Sequence, residues 1–186
     1  MTEIDESKVQ ATAQEAPKFN NNITVEEILD AQKAWGVALM KISKAHREGG
    51  IEAARAEAEA ALDASYGYDL GPVLFKPTLS SGEQTFRVTR EGALSYFVGH
   101  NPDYPGDNGF ALRKWEGYRN ENAAFFIEGN VGTVMGKVFL QDTDGNETVV
   151  DKTWQYRKDD KGTVRIVVHH SSLEYAPAED EKKVAG

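Results

Sequence analysis

The spacing of hydrophobic residues changes once along this chain, from a helical period near the start to strand-like runs in the second half. The first part repeats at intervals of 4, 3, 4 and 3 residues, as one face of a helix does: Ile28, Gln32, Trp35, Leu39 and Ile42. Residues 114–175 contain runs of strand character separated by turn sequences such as TDGN and KDDKG. Helices followed by a meander of strands predict an α+β fold, with the helices packed on a curved antiparallel sheet.

The limits of the helices can be predicted from capping signals. Thr24 and Glu27 have the spacing of a capping box, which predicts the start of the first helix. Gly49 and Gly50 predict its end. The Ala- and Glu-rich residues 51–64 predict a second helix that packs beside the first.

Between the helices and the meander the pattern is mixed. VLFKPT and TFRV have strand character, and TREGALSYFV predicts a short helix capped by Thr89. HNPDYPGDNG is dense in Pro, Gly, Asn and Asp and predicts a loop.

The length of 186 residues suits one domain that can bury a core without disulfides or metals. Residues 1–22 are polar and offer almost nothing to bury, so we expect a disordered leader there. The folded domain should cover residues 23–175, and residues 176–186 should form a flexible tail.

Composition excludes several classes of function. A formal net charge of −9 and the lack of a basic patch argue against a nucleic-acid partner. The absence of cysteine excludes disulfides, thiolate zinc sites and cysteine nucleophiles. No apolar stretch approaches the ~18 residues of a membrane span, and no secretory signal is evident, so we expect a cytoplasmic protein without a membrane partner.

The sequence VVHHSSLEY near the end places two histidines and two serines in a predicted strand. Alternate side chains of a strand point to opposite faces. His169 and Ser171 therefore share one face, and His170, Ser172 and Ile166 share the other. We expect His169 and Ser171 to face a pocket beneath the helices.

The same alternation bears on metal binding and on assembly. Two imidazoles on opposite faces cannot both reach one zinc ion, whose nitrogen ligands lie at ~2.0 to 2.1 Å, so a zinc site would need His46, His100 or distant carboxylates. We therefore expect no metal and no other cofactor. Both faces of the strand carry apolar residues, so both should be covered. A second subunit packed on the outer sheet face, giving a homodimer, is the simplest cover.

Three segments resemble one known family. The order of elements resembles the nuclear-transport-factor-2-like cone, a fold that hosts many functions. Within it, HHSS at the end of the last strand, FKPTLSS with Thr78, and GALSYFVGH with Tyr96 resemble the iota-class carbonic anhydrases, which were earlier grouped with the calmodulin-dependent kinase association domain. Val168 stands where some members have a third histidine, a departure that weakens the case for zinc.

The resemblance implies reversible hydration of carbon dioxide to bicarbonate without a metal. In that family hydroxyl groups hold bicarbonate, and the motifs place those roles on Thr78, Tyr96 and Ser171, with His169 beside them. Without a metal-bound hydroxide, a protein group must accept a proton as water attacks carbon. His169 is the first candidate and Tyr96 the second, because an ordinary tyrosine has a pKa near 10. Trp35, Phe97, Trp115, Phe126 and Trp154 could form an apolar wall, and Arg113, Arg119 and Arg165 could steer an anion.

Other interpretations stay open from the sequence. A histidine and a serine on a buried strand face also form ordinary hydrogen-bonded core pairs. A non-catalytic anion-binding or oligomerisation module of the same fold would have the same pattern. An isomerase or dehydratase of this fold would need a cavity large enough for a ring.

Overall fold

The computed structural model describes residues 21–177. Most of the predicted leader and tail lies outside this range, so the limits 23–175 stay a prediction. Within residues 21–177 no helix combines the length and the apolar character needed to cross a bilayer.

Helix α1, Val25–Ser65, consists of two legs that meet at Gly50. Its capping box is present: the Thr24 hydroxyl accepts from the Glu27 amide at 3.2 Å, and the Glu27 carboxylate accepts from the Thr24 amide at 3.0 Å. Gly50 has φ 76°, a left-handed conformation that glycine adopts without steric cost and that interrupts the helix. The predicted start, break and second helix are therefore confirmed.

The segment after α1 differs from the prediction in one respect. Strand β1, Leu74–Lys76, and helix α2, Arg90–Val98, are present, and Thr89 caps α2. The second predicted strand, TFRV, is wrong, because residues 85–88 are not in a strand. The hydroxyls of Ser80 and Thr85 bond to nearby backbone carbonyls and stabilise a turn, an alternative that competes with strand pairing.

The sheet contains five strands in the order β1-β5-β4-β3-β2. The last four are β2 (Trp115–Glu128), β3 (Val131–Asp142), β4 (Glu147–Lys158) and β5 (Val164–Leu173), and they form the predicted antiparallel meander. The two strands predicted from KWEGYR and AAFFIEG are one strand with a bulge at Ala123. β1 pairs parallel to β5, so the sheet is mixed rather than antiparallel throughout. The predicted α+β arrangement of helices on a sheet is confirmed.

The apolar stripe of α1 packs against the inner sheet face, and its one polar member has a specific partner. Gln32 is buried, and its side-chain amide exchanges two hydrogen bonds with that of Asn122, at 2.9 and 2.8 Å. Asn122 precedes the bulge in β2. This amide pair therefore fixes the first leg of α1 over the strand and helps to place Trp35, one turn further along.

We expect Gln32→Ala to lower the free energy of unfolding by about 1 to 2 kcal/mol, because it leaves the Asn122 amide without its partner. Asn122→Ala should cost a similar amount. The double variant should cost clearly less than the sum of the two, measured by urea denaturation. Strictly additive losses would show that the two amides do not stabilise each other.

Candidate active site

Strand β5 directs His169 and Ser171 into the interior, where both are buried, while His170 is exposed on the opposite face. Their partners across the ladder in β4, Trp154 and Lys152, are buried on the same face. The predicted separation of the two neighbouring histidines is therefore confirmed.

The alternation does not continue along the whole strand. Ile166 is buried on the inner face, although the sequence predicts it on the face of His170. The ladder with β4 passes from Val168 to Ile166 and skips Val167, which forms a bulge. A bulge adds one residue and reverses the alternation. The predicted faces are therefore right from Val168 onward and wrong before it.

The parallel pairing of β1 with β5 brings Thr78 to Ser171. Phe75 lies opposite His169 in the ladder, and their rings stack with centroids 4.6 Å apart. The chain leaving β1 then runs beside the end of β5, so that Thr78 Oγ1 lies 2.5 Å from Ser171 Oγ. Lys76 Nζ donates to the Ser171 carbonyl at 3.0 Å and reinforces the alignment.

Tyr96 extends from α2 toward the same point. Its hydroxyl lies 3.4 Å from the Leu79 amide nitrogen, and its ring stacks on Phe110. Burial raises the pKa of Tyr96 to about 12, although hydrogen bonds from Leu79 and Thr78 oppose the shift. The phenol therefore keeps its proton near neutral pH and can donate a hydrogen bond.

All four predicted site residues line one closed pocket between α1, α2 and the sheet. The space between its walls is too narrow for a water-sized sphere. Its lining consists of Trp35, Phe75, Thr78, Tyr96, Phe97, Phe110, Lys152, His169 and Ser171. A ligand would have to separate some of these side chains, the Thr78 and Ser171 hydroxyls among them.

The predicted apolar wall is correct in part. Trp35 and Phe97 line the pocket, and the Trp154 ring lies 5.5 Å from that of His169. Trp115 packs behind Phe110. Phe126 is 70% exposed, so its predicted place in the wall is wrong.

His169 is held at both ring nitrogens. Tyr66 Oη lies 2.8 Å from Nδ1 and itself accepts a hydrogen bond from the Trp35 indole at 3.0 Å. Lys152 Nζ lies 2.8 Å from Nε2. Burial lowers the pKa of His169 well below its usual range, and the charge of Lys152 acts in the same direction. The imidazole is therefore neutral, with one nitrogen donating and the other accepting.

Lys152 is an ionisable group of the pocket that the sequence motifs do not indicate. Its side chain is only 5% exposed and lies near the faces of Trp35 and Trp154. Among residues 21–177 it has no carboxylate partner. Burial, and secondarily the charge of Lys76, lowers the pKa of Lys152 to about 7. A substantial fraction of Lys152 is therefore the neutral amine at neutral pH.

The sequence does contain a signal for Lys152. In ETVVDKTWQYR every second residue from Val150 faces the core, and the series reads Val150, Lys152, Trp154, Tyr156. A lysine on the apolar face of an alternating strand is rare unless it has a partner or a role.

Of the three predicted anion-steering arginines, only Arg113 lies beside the pocket. It borders a cavity of about 60 Å³ that shares Tyr96 with the pocket and is closed by the loop 106–109. Arg165 bonds instead to backbone carbonyls at the end of α1, and Arg119 pairs with Glu121 and Glu147. The prediction that Arg119 and Arg165 steer an anion toward this pocket is therefore wrong.

The loop beside this cavity is fixed by a buried ion pair. Asp107 accepts from Arg87 at 2.7 Å and from the Ser95 hydroxyl at 2.7 Å.

In the part of the chain that the structure describes, no three His, Asp or Glu side chains are grouped as metal ligands.

Comparison with known proteins gives a consistent result. Residues 26–173 match the family model described as metal-independent carbonic anhydrase. A metal-independent carbonic anhydrase from Nostoc sp. is 52% identical over 169 residues, which cover 90% of this chain and 82% of that protein. The crystal structure of a cyanobacterial iota-carbonic anhydrase complexed with bicarbonate has a TM-score of 0.85 and 52% identity, over 87% of this chain and 99% of that chain.

More distant similarity concerns the fold alone. A calcium/calmodulin-dependent protein kinase II association domain from Xanthomonas campestris has a TM-score of 0.53 at 18% identity, over 84% of this chain and 91% of that chain. Its similarity shows the shared cone architecture and carries no information on activity.

The burial of Lys152 predicts a pH-dependent stability. An unfolded lysine has a pKa of about 10.4, so between about pH 7 and pH 10 the unfolded chain binds a proton that folded Lys152 does not. The free energy of unfolding should therefore rise with pH in this window, by up to about 1.4 kcal/mol per pH unit from this group. Lys152→Met should remove this part of the slope, measured by urea denaturation from pH 6.5 to 9.5.

Lys44→Met is the matched control, because Lys44 is exposed on α1 and its variant should keep the slope of the wild type. Parallel curves for the wild type and Lys152→Met would show that Lys152 keeps an ordinary pKa in the folded protein.

Proposed function

This chain belongs to the metal-independent carbonic anhydrase family, and from that premise we propose that Thr78, Tyr96 and Ser171 hold the bicarbonate of its reaction. The observation that carries the assignment is the approach of Thr78 Oγ1 to Ser171 Oγ, at 2.5 Å, in a pocket that Tyr96 also lines. Residues separated by 93 positions in sequence are thereby combined into one cluster of hydroxyls. The bicarbonate bound in the cyanobacterial relative supports the same class of ligand.

The chemistry suits these groups. Hydration joins a water oxygen to carbon, moves one electron pair of a C=O bond onto oxygen, and releases a proton. Each hydroxyl can donate one hydrogen bond and accept others, so the three can orient water and then donate to the oxygens that gain charge. Carbon dioxide itself is apolar and suits the aromatic part of the lining. Arg113, at the adjacent cavity, is suited to guide bicarbonate outward.

His169 is better suited to positioning than to proton storage. Its ring is enclosed by Phe75, Trp35 and Trp154, and burial keeps it neutral. Both ring nitrogens have partners inside the protein. We infer that His169 holds Lys152 in place and supports the wall beside Ser171.

The alternative functions fit the structure less well. An enzyme acting on a ring needs an open cavity, and this pocket has no room even for a water-sized sphere. A purely oligomeric module gives no reason for a buried lysine without a carboxylate. The small-molecule substrate is therefore carbon dioxide and bicarbonate in this proposal.

We also propose a homodimer formed through the outer sheet face. Met135 is 59% exposed there, beside Thr153 and His170, along an open groove of about 680 Å³. An antiparallel sheet with apolar side chains on its outer face is stabilised when a second layer covers it. A second copy of this chain offers the same groove and can pack sheet on sheet.

The cytoplasmic location stays a proposal from the sequence, which cell fractionation would check.

Substitution of each hydroxyl should reduce catalysis. Thr78→Val, Tyr96→Phe and Ser171→Ala should each lower kcat for carbon dioxide hydration by about 10²- to 10³-fold, because each removes a donor to developing negative charge. Stopped-flow hydration assays on chelator-treated, metal-analysed protein provide the measurement. Ser172→Ala is the matched control, because Ser172 follows Ser171 in the strand and its side chain lies on the outer face.

Equal activity of Ser171→Ala and Ser172→Ala would reject the assignment of Ser171. Loss of wild-type activity on chelation, restored only by added zinc or manganese, would reject a metal-free reaction in this chain.

Assembly can be tested separately. Met135→Glu should convert the dimer to a monomer in sedimentation velocity experiments, because it buries two carboxylates at the proposed interface. Leu29→Glu, at a position on α1 that is 45% exposed, should leave the dimer intact. A wild-type monomer at micromolar concentration would refute the proposed dimer.

A further inference from the structure

Lys152 occupies a position that packing alone does not explain. It lies in the middle of β4, on the buried face, between two tryptophan rings. Burying an amine in apolar surroundings destabilises a fold unless a charge or a function compensates. Within residues 21–177 no carboxylate pairs with it, and its one polar contact closer than 3 Å is His169 Nε2.

We propose that Lys152 is the catalytic residue that takes the proton from the attacking water. This inference rests on the proposed function and adds a named proton acceptor to it. In the hydration direction an O–H bond of water breaks, the oxygen bonds to carbon, and the lone pair of Lys152 Nζ binds the proton. The products are bicarbonate and the Lys152 ammonium, which returns to the amine when it releases the proton to solvent.

The position of Lys152 fits this role. It is the direct cross-strand partner of Ser171, and such pairs have Cβ atoms about 4.5 to 5.5 Å apart on one face. Its side chain lines the same pocket as Thr78 and Tyr96. The Lys152 side chain therefore borders the same pocket as the hydroxyls that are proposed to hold the reacting oxygen atoms.

The hydrogen bond to His169 allows Lys152 to gain and lose a proton. An ammonium group only donates, so His169 must then accept at Nε2 and carry its own proton on Nδ1, donating to Tyr66. In the same tautomer the neutral amine can still donate one N–H to Nε2, and its lone pair is free for the proton of water. Both states of Lys152 therefore keep their partner.

The balance of charge favours a neutral lysine over a tyrosinate as the base. The reaction produces an anion in a pocket with apolar walls, where an uncompensated charge is costly. A neutral amine becomes a cation in the same step, so the pocket stays neutral overall. A tyrosinate base would place an uncompensated negative charge there before water attacks, and bicarbonate would carry that charge afterwards.

The groups that face Lys152 support this assignment. His169 is neutral, Tyr96 holds its proton up to about pH 12, and Lys76 contributes a positive charge from β1. Together with burial, Lys76 keeps the pKa of Lys152 at about 7. Among these groups, Lys152 changes its protonation nearest to neutral pH.

The decisive experiment is the pH dependence of kcat/KM for carbon dioxide hydration in weak buffer. For the wild type, kcat/KM should rise as Lys152 loses its proton near pH 7. Lys152→Met should lower kcat/KM by about 10²- to 10⁴-fold, the usual contribution of a general base, and the remaining activity should lack that rise. Lys44→Met should keep both the rate and the profile.

Two further variants distinguish a base from a structural or merely cationic lysine. Lys152→Arg keeps a positive charge but gives up no proton at these pH values, so it should be as inactive as Lys152→Met. Lys152→Ala leaves room for a small amine, and added methylamine should restore part of its activity but not raise that of the wild type. If Lys152→Met does not fold, these two variants carry the test.

The outcomes separate this inference from the proposed function. An inactive wild type would reject the function itself, and an unchanged Ser171→Ala variant would reject the proposed role of Ser171. If Ser171→Ala fails while Lys152→Met keeps the rate and pH profile of the wild type, only the role of Lys152 is rejected. Full activity of Lys152→Arg would also overturn it, because a permanent cation would then suffice.

Discussion

The parallel pairing of β1 with β5 is the constraint on which the site depends. β1 has three residues, yet its register sets Phe75 opposite His169 and aligns the following chain with Ser171. Without that register, Thr78 would have no reason to lie within hydrogen-bonding distance of Ser171. The stacked rings of Phe75 and His169 add a side-chain contact to the backbone pairing of the two strands. The site is thus formed at a short edge pair, and the long meander provides the support behind it.

The aromatic enclosure decides which groups can exchange protons. Removing water disfavours the charged form of every ionisable side chain. This raises the pKa of Tyr96 and lowers those of His169 and Lys152. The ordinary pKa of a lysine lies far above neutrality, so a downward shift brings it into the useful range. The ordinary pKa of a histidine is already near neutrality, and the same shift takes it out of that range. Burial therefore exchanges the roles that the two side chains would have in water.

The sequence predicted the parts of this molecule that depend on local pattern. The capping box at Thr24, the break at Gly50 and the long strands β3, β4 and β5 follow from spacing and turn chemistry. The bulge at Val167 could not be predicted, because nothing in VRIVVHH distinguishes an unpaired residue from a paired one. The parallel partner of β1 is likewise set by tertiary contacts. The grouping of Thr78, Tyr96 and Ser171 was anticipated through family resemblance, since residue spacing does not measure distances between remote segments. The inward position of Lys152 follows from strand alternation in β4, but no motif in the sequence marks it.

The closed pocket bears on how substrate and product would move. Carbon dioxide has no charge, so it can enter between apolar side chains without the desolvation cost of an ion. Bicarbonate must break the Thr78–Ser171 contact to bind, and its own hydrogen bonds to the same hydroxyls offset that loss. The buried Arg87–Asp107 pair holds the neighbouring loop in place, which favours movement of side chains over opening of the backbone. In the proposed mechanism the hydration step places a positive charge on Lys152 at the moment when bicarbonate occupies the pocket. When Lys152 loses that proton, its attraction to bicarbonate is lost. Regeneration of the base and release of the product therefore promote each other.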